Sequence, residues 1–123
     1  VYVYIYAGAP PELENAIQDA IERGVEVRML VDSHSTDYPE WLQELQELKQ
    51  AGAGVYVIEH PYSAHPKFII VDDEWAYVGS SNIHPEWMLE GREVGVVVRS
   101  AEVVEQLEDI FLQDWVSTYT KEL

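Results

Sequence analysis

The chain has 123 residues and a formal net charge of −16, from 23 acidic and 7 basic side chains. This length suits one domain with its own hydrophobic core, and we expect residues 1–123 to form a single domain. So acidic a chain disfavours extended contact with nucleic acid, which needs many basic side chains, and it also repels anionic lipid surfaces. Cysteine is absent, which excludes disulfides and thiolate metal sites.

No apolar run approaches the ~18 residues that suggest a membrane-spanning helix, and no segment has the pattern of a signal peptide. We therefore expect a soluble protein without a transmembrane segment, cytoplasmic by default. The simplest interpretation of the acidic composition is a solvated coat that keeps the protein soluble.

The first third of the chain has the pattern of a strand, a helix and a second strand. Residues 1–6 are an unbroken run of β-branched and aromatic side chains, typical of a central strand that is covered on both faces. Residues 12–23 carry apolar side chains at helical spacing, and residues 25–31 form the next strand. This order predicts a right-handed parallel crossover.

A polar loop at residues 32–38 follows the second strand, at the carboxyl end where open α/β sheets usually carry their ligands, so it could shape substrate access. Asp37 and Glu40 have the spacing of a capping box for the next helix, whose core side we assign to Leu42, Leu45 and Leu48. A third strand is expected at residues 55–59, and residues 60–64 read as irregular chain.

Residues 65–82 have the pattern of a β-hairpin with polar residues at its open end. Strand formers at residues 68–71 and 75–78 flank the polar turn Asp72-Asp73-Glu74. The two strand termini meet at the open end, so His65 and Lys67 should lie near a second group formed by Gly79, Ser80 and Asn82. An imidazole, an ammonium, a hydroxyl and a carboxamide are groups that suit an oxyanion, and the glycine would let the backbone approach it.

The spacing of His65, Lys67, Asp72 and the Gly79-Ser80-x-Asn82 group resembles the signature of the phospholipase D superfamily. The repeat unit of that family is similar to this chain over residues 1–115. The resemblance implies a phospholipase D-like α/β sandwich, in which a mixed β-sheet is flanked by helices and the chain supplies one repeat unit.

The final third of the chain is expected to form a loop with about one helical turn at residues 83–89, a strand at 94–98 and a helix from Ser100 to Trp115. Glu93 opens the strand. The resemblance implies that its carboxylate hydrogen-bonds the ring of His65 and fixes the tautomer, as a carboxylate does for other catalytic imidazoles.

The resemblance also implies a metal-independent phosphodiesterase that needs no cofactor. His65 would attack phosphorus to form a phosphohistidine, and Lys67, Asn82 and Ser80 would hold the nonbridging oxygens. Asp72 is assigned to supporting the turn and Lys67. A metal site built from the four histidines is disfavoured because no short paired spacing links them, and His34 and His60 are interpreted as exposed or structural.

The chain supplies one motif, whereas the superfamily's active site normally takes two. We therefore expect a homodimer across the motif edge, in which two copies of His65 flank one phosphate. A noncatalytic phosphate-binding or headgroup-binding module, and an isolated or engineered half-domain without its own activity, are the alternatives from other classes.

Within the enzyme interpretation, the string VDDEWAYVGSSN is similar to cardiolipin-synthase-type relatives, and together with the charge it favours a phospholipid substrate. Either hydrolysis or transphosphatidylation fits. A single-motif endonuclease of the same superfamily is the alternative, because a dimer of one-motif chains is the arrangement of its nucleases.

Overall fold

A computed structural model describes residues 1–6, 9–61 and 63–123. Its helices are α1 (Pro11–Glu22), α2 (Pro39–Ala51), α3 (Pro85–Glu90) and α4 (Ala101–Trp115), with a short 3₁₀ helix at Ser33–Asp37. Its strands are β1 (Tyr2–Ile5), β2 (Arg28–Asp32), β3 (Gly54–Ile58), β4 (Phe68–Val71), β5 (Trp75–Gly79), β6 (Gly95–Val98) and β7 (Thr120–Glu122). The strands form one seven-stranded sheet in the order β6-β5-β4-β1-β2-β3-β7. This arrangement confirms the predicted mixed sheet flanked by helices.

The strand directions bring several chain segments to one edge of the sheet. Strands β1, β2 and β3 run parallel, whereas β4 is antiparallel to β1, β5 to β4 and β6 to β5. The carboxyl ends of β1, β2 and β5 therefore meet the amino ends of β4 and β6. We call this place the site edge.

The sheet has a hydrophobic core on each face. Successive residues of β1 point to opposite faces, so Val3 and Ile5 join the core under α1 and α2, whereas Tyr4 joins the core under α4. Helix α2 contributes the buried Leu45 and Leu48 to the first core. Covering on both faces explains why β1 lacks the polar alternation of a half-exposed strand.

The predicted helices are present, but several of their details differ. The capping box is wrong, because α2 begins at Pro39 with Tyr38 as its N-cap and no side chain caps it. Ser100 is the N-cap of α4 but makes no side-chain capping bond. Leu42 is only half-buried, and the predicted stripe of α4 is narrower because Val103 and Ile110 are exposed.

Two elements were not predicted. The residues that we assigned to a polar loop after β2 form the 3₁₀ helix, and β7 adds to the sheet by pairing antiparallel with β3. Residues 60, 61, 63 and 64 lie outside helices and strands, in agreement with the predicted irregular chain, and Tyr62 of that segment lies outside the described residues. The preceding strand is shifted by one residue from the prediction, because β3 begins at Gly54 and ends at Ile58. None of the described helices is long and apolar enough to cross a lipid bilayer.

The β4–β5 hairpin closes through a tight turn. The amide of Glu74 donates to the carbonyl of Val71 at 3.1 Å, and φ is +54° at Asp72 and +53° at Asp73. Positive φ at both central residues is the requirement of a type I′ turn, and aspartate tolerates that conformation better than most residues. The turn fixes the register in which Val71 faces Trp75 and Phe68 faces Val78.

Candidate active site

His65 and Lys67 are in direct contact at the site edge, just before β4 begins. The Lys67 Nζ lies 2.9 Å from Nδ1 and 3.0 Å from Nε2 of the His65 ring, and it donates to the His65 carbonyl at 3.3 Å. The backbone amide of Gly79 donates to the Lys67 carbonyl at 3.0 Å, which joins the start of β4 to the end of β5. The predicted proximity of these two hairpin ends is therefore present.

The Lys67 ammonium is buried without a carboxylate partner. The residue is only 6% exposed, and among the ion pairs of the described residues none involves Lys67. The Lys67 Nζ also lies over the ring of Tyr6, 5.6 Å from the ring centroid. A buried cation that lacks a counterion favours binding of an anion from outside the protein, because an isolated buried charge is costly.

The surroundings of His65 favour its neutral form. Burial lowers the pKa of His65, the Lys67 ammonium lowers it further, and the Asp32 carboxylate acts in the opposite direction. Burial also lowers the pKa of Lys67, against the influence of Glu93. A neutral imidazole has the free lone pair that a nucleophile needs.

Ser80 and Glu93 bind each other rather than the groups that we predicted for them. The Ser80 hydroxyl donates to Oε2 of Glu93 and accepts a hydrogen bond from the Val94 amide at 3.1 Å. The hydrogen bonds of the His65 ring in the described structure are both with Lys67 and none is with Glu93, so the predicted pair is absent. Because the hydroxyl has a single proton, Ser80 cannot donate to a phosphate oxygen while it holds Glu93.

The side chain of Asn82 has a buried oxygen without a hydrogen-bond partner among the described residues. Its Oδ1 is buried and has no hydrogen-bond partner among the described residues, while its backbone carbonyl accepts from Ser81 Oγ and His84 N at 2.7 Å each. These backbone contacts hold the residue in place, while Oδ1 of its side chain has no partner among the described residues. Such a group is normally satisfied by water or a ligand.

Asp72 lies at the other end of the hairpin from Lys67. It is exposed in the β4–β5 turn, and the four residues of β4 separate it from the site edge, a span of roughly 13 Å at ~3.3 Å per residue. The predicted support of Lys67 by Asp72 is therefore wrong, and the structure gives Asp72 a place in the turn only.

The ring of Tyr77 explains two glycines at the site edge. Gly79 faces Gly95 across β5 and β6, and the Tyr77 side chain lies over both. A Cβ at Gly79 would lie 2.3 Å from the Tyr77 Oη, and a Cβ at Gly95 would lie 2.4 Å from its Cε2. The structural reason for Gly79 is thus contact with this ring.

We expect Gly95→Ala to destabilise the fold by about 1–3 kcal/mol, the usual cost of overpacking, because the added methyl group displaces the whole Tyr77 ring. Urea unfolding measures this loss. In a Tyr77→Ala background the same substitution should cost much less, because the clashing ring is gone. An equal loss of stability in both backgrounds would show that contact with the Tyr77 ring is not the reason for a glycine at position 95.

Two further residues lie at the site edge that sequence reasoning did not single out. The Tyr6 ring packs edge-on against His65, with centroids 4.4 Å apart and an interplanar angle of 68°. Asp32, at the carboxyl end of β2, is 1% exposed and accepts hydrogen bonds from the amides of Ala64 and His34. The only sequence signal for either residue is its position at, or directly after, the carboxyl end of a predicted parallel strand.

The other histidines lie apart from the His65–Lys67 contact. His34 is exposed and donates from Nδ1 to the carboxylate of Asp32 at 2.7 Å, His60 packs against Tyr119, and His84 packs against Trp87. Among the described residues, no group of three or more His, Cys, Asp or Glu side chains has the geometry to hold a metal ion.

The family is decided by a comparison with protein-family models. The model described as "Cardiolipin synthase, PLD-like domain" matches residues 1–115. The chain belongs to the phospholipase D superfamily. It is 31% identical over 117 residues to a phospholipase D of Rickettsia bellii and 30% identical over 110 residues to a cardiolipin synthase of Listeria monocytogenes.

Two solved structures share the fold of this chain. The chain matches Nuc of Salmonella typhimurium, a phospholipase D family member, with a TM-score of 0.90, 20% identity and coverage of 98% of this chain and 79% of that one. NucT of Helicobacter pylori gives a TM-score of 0.85 at 17% identity, with coverage of 99% and 80%.

This chain covers different shares of its relatives' lengths. The chain spans about half of the Rickettsia phospholipase D (95% of this chain, 55% of that protein) and about a quarter of the Listeria cardiolipin synthase (87% and 23%). It also spans about a quarter of a probable phospholipase D of Caenorhabditis elegans, to which it is 29% identical.

Proposed function

We propose that this phospholipase D-like chain is half of a phosphodiesterase active site, in which His65 is the nucleophile and Lys67 binds the phosphate. The observation that carries the proposal is the buried Lys67 ammonium, which lies against the ring nitrogens of His65 and pairs with no carboxylate of the described side chains. A phosphodiester supplies both missing partners: a nonbridging oxygen for the ammonium and a phosphorus atom for the imidazole.

The reaction begins when a neutral ring nitrogen of His65 attacks phosphorus and the bond to the leaving oxygen breaks. An imidazolium, His65 of a second copy, donates its proton to that oxygen. The same imidazole then removes a proton from water, the resulting hydroxide attacks the phosphohistidine, and the phosphorus–nitrogen bond breaks to release the phosphate product and free His65. An alcohol in place of water gives transphosphatidylation.

Lys67 and Asn82 stabilise the charge that develops on the nonbridging oxygens. Both are held before substrate arrives, Lys67 by burial and Asn82 by its backbone contacts, so little reorganisation opposes the reaction. In this proposal the NH₂ group of the Asn82 side chain donates a hydrogen bond to an oxyanion. Ser80 contributes indirectly, by holding Glu93.

The second copy docks on an exposed apolar surface beside the site edge. We assign to it the exposed apolar side chains of Met88 and Leu89 in α3 and of Val94, Val96 and Val97 at β6, of which Leu89 is 83% exposed and Val94 is 73% exposed. It includes β6, whose outer edge pairs with no described strand. Apolar contact is the means by which two chains of formal charge −16 can associate despite their repulsion.

We propose a phospholipid as the substrate. The sequence relatives named phospholipase D and cardiolipin synthase support it, as does the scarcity of basic side chains for extended nucleic-acid contact. The second candidate is a single-motif endonuclease. Its support is the length of Nuc and NucT, of which this chain covers about four fifths, whereas it covers about a quarter of the cardiolipin synthase.

The test is the pH dependence of bis-p-nitrophenyl phosphate hydrolysis in excess EDTA. Two facing His65 imidazoles must share one proton, so kcat/KM should be bell-shaped. Its acid limb should have a midpoint below 6.5, because burial and the Lys67 ammonium oppose protonation of His65. Activity therefore falls as the pH drops through this lowered value and the nucleophile becomes protonated.

An acid midpoint at or above 6.5 would contradict the proposed nucleophile, and abolition of turnover by EDTA would indicate a metal enzyme. Parallel assays with phosphatidylcholine vesicles and with a single-stranded oligonucleotide separate the two candidate substrates. Absence of turnover on all three substrates would leave the binding module or the inactive half-domain.

A further inference from the structure

His65 belongs to the segment between the end of β3 at Ile58 and the start of β4 at Phe68, and residues 63–66 of this segment lie outside helices and strands. Within residues 63–66, the recorded hydrogen bonds to other segments run from the Ala64 amide, at 2.7 Å, and from the Ser63 hydroxyl, at 3.5 Å, and both reach Oδ2 of Asp32. Asp32 lies 32 positions earlier, at the end of a strand in the centre of the sheet.

Both oxygens of the Asp32 carboxylate are used as acceptors. Oδ2 accepts from the Ala64 amide, and Oδ1 accepts from the His34 amide at 2.9 Å and from the His34 ring at 2.7 Å. Asparagine, the residue type of the same size, cannot accept hydrogen bonds at both positions, because its side chain has one acceptor oxygen and one NH₂ group, which donates. The carboxylate is 1% exposed, so water does not replace a lost bond easily.

We infer that Asp32 is a positioning residue for His65, which holds the residue immediately before the imidazole against the rigid sheet and sets the ring's orientation between Lys67 and Tyr6. The charged groups that face His65 agree with this role. From its own segment, Lys67 opposes protonation of the ring, and from β2, Asp32 favours it. Tyr6 presents a neutral ring edge from the end of β1. The catalytic consequence rests on the proposed function, whereas the positioning does not.

The first test is amide hydrogen exchange in the unmodified protein. Ala64 should exchange at least about tenfold more slowly than its neighbours Ser63 and His65, whose amides have no recorded hydrogen bond in the described structure. Equal exchange of the three amides would overturn the inference without any variant.

The second test uses Asp32→Asn, with Asp37→Asn as the matched control. Asp32 is the N-cap of the 3₁₀ helix Ser33–Asp37, and Asp37 is an exposed carboxylate at the other end of that helix. Substitution of Asp37 therefore removes a nearby charge but no contact with Ala64. Asp32→Asn should accelerate Ala64 exchange by about tenfold and lower the pKa of His65 in an NMR titration of the ring, because one amide loses its acceptor and the favouring charge is gone.

In the hydrolysis assay, Asp32→Asn should reduce kcat by about tenfold to a hundredfold with little change in KM, as expected when a reacting group is misplaced by about 1 Å. A folded Asp32→Asn protein with unchanged Ala64 exchange or unchanged His65 pKa would overturn the inference. Exchange and ring titration need no turnover, so they decide the positioning role even if the chain hydrolyses no diester.

Discussion

His65→Ala should abolish phosphodiester turnover while leaving the fold intact, because it removes the group that forms the covalent intermediate in the proposed mechanism. Lys67→Ala and Asn82→Ala should each reduce kcat by about a hundredfold or more, the loss typical of one preorganised oxyanion contact. Steady-state hydrolysis of bis-p-nitrophenyl phosphate measures all three.

Lys121→Ala is the matched control for the lysine variant. Lys121 is exposed on β7, which lies four strands from β4 in the sheet, and it pairs with Glu59 at 3.3 Å, so its loss should leave turnover unchanged. If Lys121→Ala and Lys67→Ala lowered turnover equally, the effect would be one of overall charge and not of phosphate binding. Residual turnover in His65→Ala above the uncatalysed rate would exclude His65 as the sole nucleophile.

A Val96→Glu/Val97→Glu double variant should convert a dimer into an inactive monomer. The two side chains point to opposite faces of β6, so the variant charges both faces of the proposed docking surface. A buried charge without a partner costs about 3 kcal/mol or more, which weakens association at least about a hundredfold. Sedimentation equilibrium at micromolar concentration should therefore show a dimer for the unmodified chain and a monomer for the variant, with turnover lost in parallel.

Val116→Glu provides the control, since Val116 is 78% exposed just after α4 and lies outside the proposed surface. It should remain dimeric and active. An unmodified chain that is monomeric and still hydrolyses diesters would contradict the shared site, whereas a monomer without activity would favour the half-domain alternative.

The parts of the fold that were predicted correctly rest on local patterns. The run at residues 1–6 is apolar on both faces because α1 and α2 cover one side of β1 and α4 covers the other. The hairpin is a contact between neighbours in sequence, so alternation and turn residues were sufficient to predict the meeting of Lys67 and Gly79.

The parts that were missed depend on contacts between distant segments. The hydrogen bond between Asp32 and Ala64 spans 32 positions, and no periodicity in either segment encodes it. Glu93 was assigned to His65 by resemblance alone, whereas the β5–β6 pairing brings it to Ser80. Asp72 was included because of motif spacing, which does not reveal that four residues of strand carry it to the far end of the hairpin.

Because Lys67 is buried, salt should affect its interaction with a bound anion much less than it affects the repulsion between the acidic surface and an approaching anion. Mobile ions reduce interactions between exposed charges over a Debye length of about 8 Å at physiological ionic strength, but they reach a buried pair much less. An anion held by Lys67 is therefore largely insulated from bulk salt, whereas the acidic exterior repels approaching polyanions most strongly in dilute buffer. We therefore expect a singly charged or zwitterionic diester to associate with the site rapidly, and a long polyanion to do so only at high ionic strength.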